Sequence, residues 1–174
     1  MKRILLLSLA LACIALPALA DRDMTGCTVE LMSPLSANPG ETVTFTFWVC
    51  NNSPDNEWTS NVIFTFPECI SALDGWVDGG AVTPSFDVVI DPGNVIAFMD
   101  GNGGWGEIYT DYCYTFFVSA SLSTDCESGV AEILWEQQGD GYGAEPHTIT
   151  GTLPFTIGVT PTDGSTWSAV KSLY

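Results

Sequence analysis

The sequence predicts an all-β domain, a two-sheet antiparallel β-sandwich, on three observations. Apolar and polar residues alternate with period two in stretch after stretch between residues 27 and 158. Clusters of Gly, Pro, Asn and Asp separate those stretches, and none of them repeats apolar residues at helical spacing. Short strands of this kind each bury one face, and two sheets must pack together to remove both faces from water.

The chain opens with an export signal. Lys2 and Arg3 are followed by an apolar run from Ile4 to Leu16, interrupted only by Ser8, and then by the small-x-small pattern of Pro17-Ala18-Leu19-Ala20. The run is too short to span a bilayer comfortably, and Asp21, Arg22 and Asp23 follow at once. Cleavage after Ala20 is expected; lipoprotein processing at Cys13 is the rival, opposed by Ala10, which stands where a large aliphatic is usual.

The remaining 154 residues suit one domain. They carry 21 acidic side chains against Arg22 and Lys171, a formal charge of −19. Two cations at opposite ends cannot build a basic patch, so nucleic-acid and anionic-lipid binding are excluded as function classes. No second apolar stretch reaches membrane-spanning length.

The clearest strand is Thr42–Cys50, where Val43, Phe45, Phe47 and Val49 alternate with threonines after Pro39-Gly40. Val62–Phe66 follows and ends at Pro67. Ser85–Ile90 and Asn94–Met99 read as a pair joined by the turn Asp91-Pro92-Gly93. Glu107–Leu122 is the longest run, and Val130–Gln137 and His147–Ile157 complete the set. Residues 21–158 form the expected domain and 159–174 a tail.

Five cysteines survive cleavage: Cys27, Cys50, Cys69, Cys113 and Cys126. Export favours two disulfides and one thiol left over, with the pairing open. No C-x-x-C pair exists and His147 is the only histidine, which argues against structural zinc.

Catalytic chemistry finds little to work with. Any Ser-His-Asp or Cys-His arrangement must use His147, no Gly-x-Ser-x-Gly elbow accompanies it, and a turn-rim histidine bonded to neighbouring backbone is the expectation. Glu132 and Glu136 share a strand face but stand roughly 13 Å apart, too far for a glycosidase pair. A non-enzymatic structural or interaction module is therefore expected, with an unidentified protein or glycan at the cell surface as partner.

No cofactor is expected, with calcium the one metal to weigh. Asp100-Gly101-Asn102 opens like an EF-hand, but Gly104 and Trp105 occupy the fifth and sixth positions, so that motif fails. Asp74, Asp78, Asp87, Asp91, Asp100 and Asp140 remain as candidates for a looser inter-strand site. The alternative function is thus a carbohydrate- or calcium-binding sandwich. Trp48 and Trp135 lie in strand patterns and are expected to pack inside. Trp58, Trp76 and Trp105 sit beside turns, and Trp105 with Tyr142 belongs to glycine-rich loops that could share a ligand-facing rim.

The segment Asn38-Pro39-Gly40-Glu41-Thr42-Val43-Thr44-Phe45-Thr46-Phe47, followed by Cys50-Asn51-Asn52-Ser53, resembles immunoglobulin-like repeat domains of secreted and surface bacterial proteins. The resemblance implies an immunoglobulin-like sandwich in an exported protein. The end of the chain, Ser165-Thr166-Trp167-Ser168-Ala169-Val170-Lys171-Ser172-Leu173-Tyr174, resembles carboxy-terminal tails of exported proteins of some environmental bacteria, with Ser168 in place of their glycine. That likeness implies sorting or surface attachment read through Trp167, Lys171, Leu173 and Tyr174.

Overall fold

The computed structural model describes residues 23–54, 56–80, 83–141 and 145–158. Ten strands appear in chain order: β1 (Thr28–Ser33), β2 (Ser36–Ala37), β3 (Thr42–Asn51), β4 (Thr59–Thr65), β5 (Ile70–Asp78), β6 (Phe86–Ile90), β7 (Val95–Asp100), β8 (Tyr112–Leu122), β9 (Gly129–Gly139) and β10 (Thr148–Ile157). They build a four-stranded sheet, β1-β3-β8-β5, and a six-stranded sheet, β2-β10-β9-β4-β7-β6. All pairings are antiparallel except β2 with β10. The expected sandwich is what forms, and the described residues contain no helix, hence none long and apolar enough to cross a membrane.

Period-two patterning sets which residues meet between the sheets. Phe45, Phe47 and Val49 of β3 and Phe116, Val118 and Ala120 of β8 point inward from one sheet and are buried. Val62 and Phe64 of β4, Ile96 and Phe98 of β7, Ile133 of β9 and Phe155 of β10 meet them from the other. Rings interlock at the centre: Phe47 stacks on Phe64 at 4.1 Å and Phe98 meets Phe116 edge-on at 4.9 Å. Such contacts stabilise beyond the area they bury.

Glycine lets the layers close. A Cβ at Gly75 of β5 would lie 2.6 Å from Ile96 Cδ1 and 2.7 Å from Phe98 Cζ, so only glycine admits those two core side chains. On the six-stranded sheet, Gly151 leaves room for the indole of Trp135, its cross-strand partner.

Two disulfides form, Cys50–Cys113 between facing residues of β3 and β8, and Cys69–Cys126 between the turn before β5 and the loop after β8. They close loops of 63 and 57 residues, and each is expected to contribute on the order of 2–4 kcal/mol by restricting the unfolded chain. Cys27 is the free thiol, and it is buried.

Several expectations need correction. β1, β2 and β5 are strands that the pattern did not announce. β1 and β5 each carry a register shift, at Leu31/Ser33 and Ala72/Asp74, and a bulge breaks the alternation by which strands are recognised. The long run begins at Tyr112, not Glu107; residues 107–111 are a loop touching Thr59 through a bridge at Ile108. Trp48 is no core residue. It shares parity with Thr44 and Thr46, so it lies on the outer face and is 40% exposed.

The parity of β3 is testable by adjacent substitutions. Phe47→Ala should cost about 3–5 kcal/mol in denaturant unfolding, whereas Trp48→Ala should stay within about 0.5 kcal/mol of the parent. Equal losses at both positions would contradict the register.

Candidate functional site

The buried polar residues of the sandwich gather at one end. Asn51, Ser53, Glu57, Thr59 and Gln137 are all buried there, where the β3–β4 connection passes beneath the loop that leads into β8. Polar groups this deep are tolerated only when hydrogen bonds replace the lost water. Asn51 meets that requirement in both directions: its Nδ2 donates to the carbonyls of Glu57 and Ile108 at 2.8 and 2.9 Å. Its Oδ1 accepts from the Ser53 amide at 2.9 Å and from the Cys27 thiol at 3.3 Å. One side chain thus joins the end of β3, the β3–β4 connection, the loop before β8 and the amino-terminal segment.

Glu57 is the charged member. Its side chain is fully buried and its Oε1 lies 2.9 Å from His147 Nδ1, while Oε2 has no hydrogen-bond partner. Burial pushes the Glu57 carboxyl above its ordinary range, with the His147 contact opposing. The contact with Glu57 in turn raises the His147 imidazole, with Glu145 and Asp140 adding to the rise. His147 is therefore not the backbone-bonded rim histidine expected from sequence; it caps a carboxylate 90 positions away. Gly139 makes the approach possible, because a Cβ there would sit 1.9 Å from Glu57 Oε1. Gln137 completes the floor, accepting from Thr59 Oγ1 and donating through Nε2 to the Thr28 carbonyl.

The Cys27 thiol is held inert by the same environment. Burial, with Glu57 and Asp23 nearby, pushes it up to about 11 against the backbone bonds of Asn52 and Ser53. A thiol this hard to ionise is a poor nucleophile.

Above this base sits a cluster of rings. Trp58 contacts Tyr109 at 4.2 Å, Tyr109 meets Tyr112 at 6.2 Å, and Tyr112 runs parallel to the buried Tyr114 at 6.5 Å. Tyr109 is 44% exposed, Tyr112 55% and Trp105 63%. The exposed rings do not share a plane: Tyr109 stands 88° to Tyr112 and 56° to Trp58. Burial raises the Tyr114 phenol, and Tyr112, Tyr109 and Glu107 add to the effect. The loop is braced from below, where a Cβ at Gly106 would lie 2.8 Å from the Thr59 carbonyl and the Asp111 amide donates to Asn51 O at 2.7 Å.

Of the residues singled out in the sequence, Trp105 is 63% exposed, whereas Tyr142, its expected companion on the rim, and the tail residues Trp167, Lys171, Leu173 and Tyr174 lie outside the described residues. Trp76 stacks on Phe117 at 5.1 Å on the outer face of the four-stranded sheet. The calcium candidates are spread over several elements. Asp100 Oδ1 accepts the amides of Asn102 and Gly103, and Asp74 and Asp78 accept those of Gly75 and Gly80. Among the described residues, no three His, Cys, Asp or Glu side chains stand together at metal-holding geometry. Glu57, Asn51, Tyr109 and Tyr112 were missed as a set because only folding brings 51–59, 105–112 and 139–147 together.

No family profile matches the chain, and no curated protein does. Among solved structures, the chain is similar to AvmM, described as catalysing macrocyclization in alchivemycin A biosynthesis, at 16% identity and a TM-score of 0.52 over 83% of this chain and 95% of that one. It is also similar to BcpA, the major pilin subunit of Bacillus cereus, at 9% identity and TM-score 0.53, covering 75% of this chain and 40% of the other. A putative membrane anchored protein from Corynebacterium diphtheriae matches at 10% identity and TM-score 0.53, over 78% of this chain and 36% of that chain. At these identities the likeness establishes a shared β-sandwich fold.

The buried pair makes a prediction about pH. Both groups bind protons more tightly folded than unfolded, so their stabilisation is full at low pH and lost as pH rises through their raised values. Tm should fall by several degrees from pH 5.5 to 8.5, and Glu57→Gln should flatten most of that slope. A slope undiminished in Glu57→Gln would assign it to general repulsion among surface carboxylates.

Proposed function

We propose that the chain is an exported, non-enzymatic interaction module that binds a protein partner through the ring cluster at the loop end. The observation that carries this reading is the exposure of Tyr109 and Tyr112, two rings of one cluster beside a braced, buried polar base, with Trp105 exposed earlier in the same loop. Tyr and Trp side chains give large contact area at small cost in conformational entropy, which is why they dominate binding hot spots. Because Tyr109 is tilted against both Tyr112 and Trp58, this cluster suits a projecting side chain of a partner better than the flat run of a polysaccharide, which needs coplanar platforms.

The partner's chemistry follows from charge. Glu107 acts on Tyr114, Asp111 bonds Asn51 through its amide, and Asp140 and Glu145 act on His147, so acids stand at this end, and the mature chain carries a formal charge of −19. A partner patch containing Arg or Lys is favoured, through attraction at long range and cation–π contact at short range. Export is supported by the leader over residues 1–20 and by two disulfides, which persist in oxidising compartments. The pilin subunit and the membrane-anchored protein of similar fold are consistent with a surface role. Residues 159–174 act as a sorting or attachment tail in this reading.

Immobilised mature protein should capture a basic protein from the cell envelope of the source organism. A Trp105→Ala/Tyr109→Ala/Tyr112→Ala variant should lose at least tenfold in apparent affinity while its Tm drops by no more than a few degrees. Undiminished capture by the triple variant would contradict the assignment, as would ring-dependent retention on cellulose or chitin, which would make the partner a glycan.

A further inference from the structure

The two sheets expose four edges, and three of them are blocked. β1 is bulged at Met32, its Thr28 carbonyl is taken by Gln137 Nε2 at 3.1 Å, and Pro34 follows it. β2 is two residues long, bounded by Pro34 and Pro39. β5 is bulged at Leu73, its Ala72 amide donates to Gly93 O at 2.8 Å, and its Gly75 amide is closed by Asp74 Oδ1 at 2.8 Å. Bulges, short strands and self-capping are the devices that keep sheet edges from pairing with other chains.

β6 has none of these devices. Phe86–Ile90 pairs with β7 in unbroken register and contains no Pro, Gly, Lys or bulge. Among the described residues no strand pairs with its outer edge; β5 of the other sheet approaches β6 without pairing, and the Ser85 amide, before the strand begins, donates to Glu107 Oε2. Val88 and Val89 are 38% and 46% exposed, one toward each face. An open, unbulged, apolar edge on a chain that closes its other three is a site for strand addition.

We infer that β6 receives an extended segment of another protein as an eleventh strand, one that alternates apolar residues with Lys or Arg. Main-chain hydrogen bonds supply the affinity, and the apolar positions of the incoming strand pack beside Val88 or Val89. The cationic positions follow from acidity: Asp91 stands at the end of the strand, and residues 21–174 carry a formal charge of −19. A second copy of this chain is disfavoured as occupant, since it brings the same acids and the same formal charge of −19. This edge is separate from the ring cluster and stands or falls independently of it.

The test is an NMR titration of the ¹⁵N-labelled mature chain with a nine-residue peptide alternating valine and lysine. Amide shifts should concentrate in residues 86–90 and in the paired β7. A counterpart of equal charge, with proline at three valine positions, should bind at least tenfold more weakly. Val89→Lys should also weaken binding at least tenfold. The charge-matched Val130→Lys should not, since Val130 is 77% exposed and three strands away, roughly 14 Å. No binding, or shifts scattered over acidic side chains and insensitive to proline, would overturn the inference. So would concentration-dependent dimerisation through β6 without peptide binding, which would make a second copy the occupant.

Discussion

Burial of the Glu57 carboxylate is the constraint on which the loop end depends. Beyond residue 20 the chain has two permanent cations, Arg22 and Lys171, and no Lys or Arg lies among the described residues. His147 is therefore the one described side chain able to bring positive charge to Glu57. A buried carboxylate without a partner would shed its charge or force the site open. The contact fixes the approach to β10 against the β3–β4 connection, and Gly139 is the residue whose missing side chain permits it. Met24 adds the amino-terminal segment to the same assembly through its amide, which donates to the Pro146 carbonyl at 2.9 Å.

From that base the rest of the end follows by hydrogen bonding. Asn51 is at once the last residue of β3 and the side chain that holds the Glu57 and Ile108 carbonyls, so core strand and surface loop are fixed to each other. Tyr109 and Tyr112 flank the segment this ties down, which explains how large rings stay displayed instead of collapsing onto the core. The opposite strategy rules the edges: β1, β2 and β5 are closed by local means, and β6 is left open. Exposed rings at one end and one unpaired sheet edge are the two features on which the proposed binding roles rest.

How much of this was legible in the sequence depended on the range of the interactions. β3, β4 and β7 announce themselves because alternation is local and their inward residues are Phe, Val and Ile. β5 hides because Leu73 shifts its register and Asp74-Gly75 interrupts its apolar pattern, although Gly75 within a strand is itself a sign of close approach. Trp48 was misplaced by chemistry overriding parity: Phe45, Phe47 and Val49 claim the inner face, so the residue between them must face outward. The pairing of the cysteines and the meeting of Glu57 with His147 span 57 to 90 residues, and no local pattern encodes either. Glycines around Trp105 mark it as a loop residue, whereas Tyr109 and Tyr112 fall in a run that reads as strand, so the sequence hides their loop and edge positions.

Asn51 and the polar base hold the ring-bearing loop as a unit distinct from the core. Amide hydrogen exchange of Asn51→Ala against the parent measures this most directly. Protection should fall selectively at Thr59, Ile108 and Asp111, whose amides bond within the assembly, while the amides of Phe47 and Phe116 keep their protection relative to global unfolding. Unchanged protection at those three amides, or a uniform loss across β3 and β8, would contradict the claim.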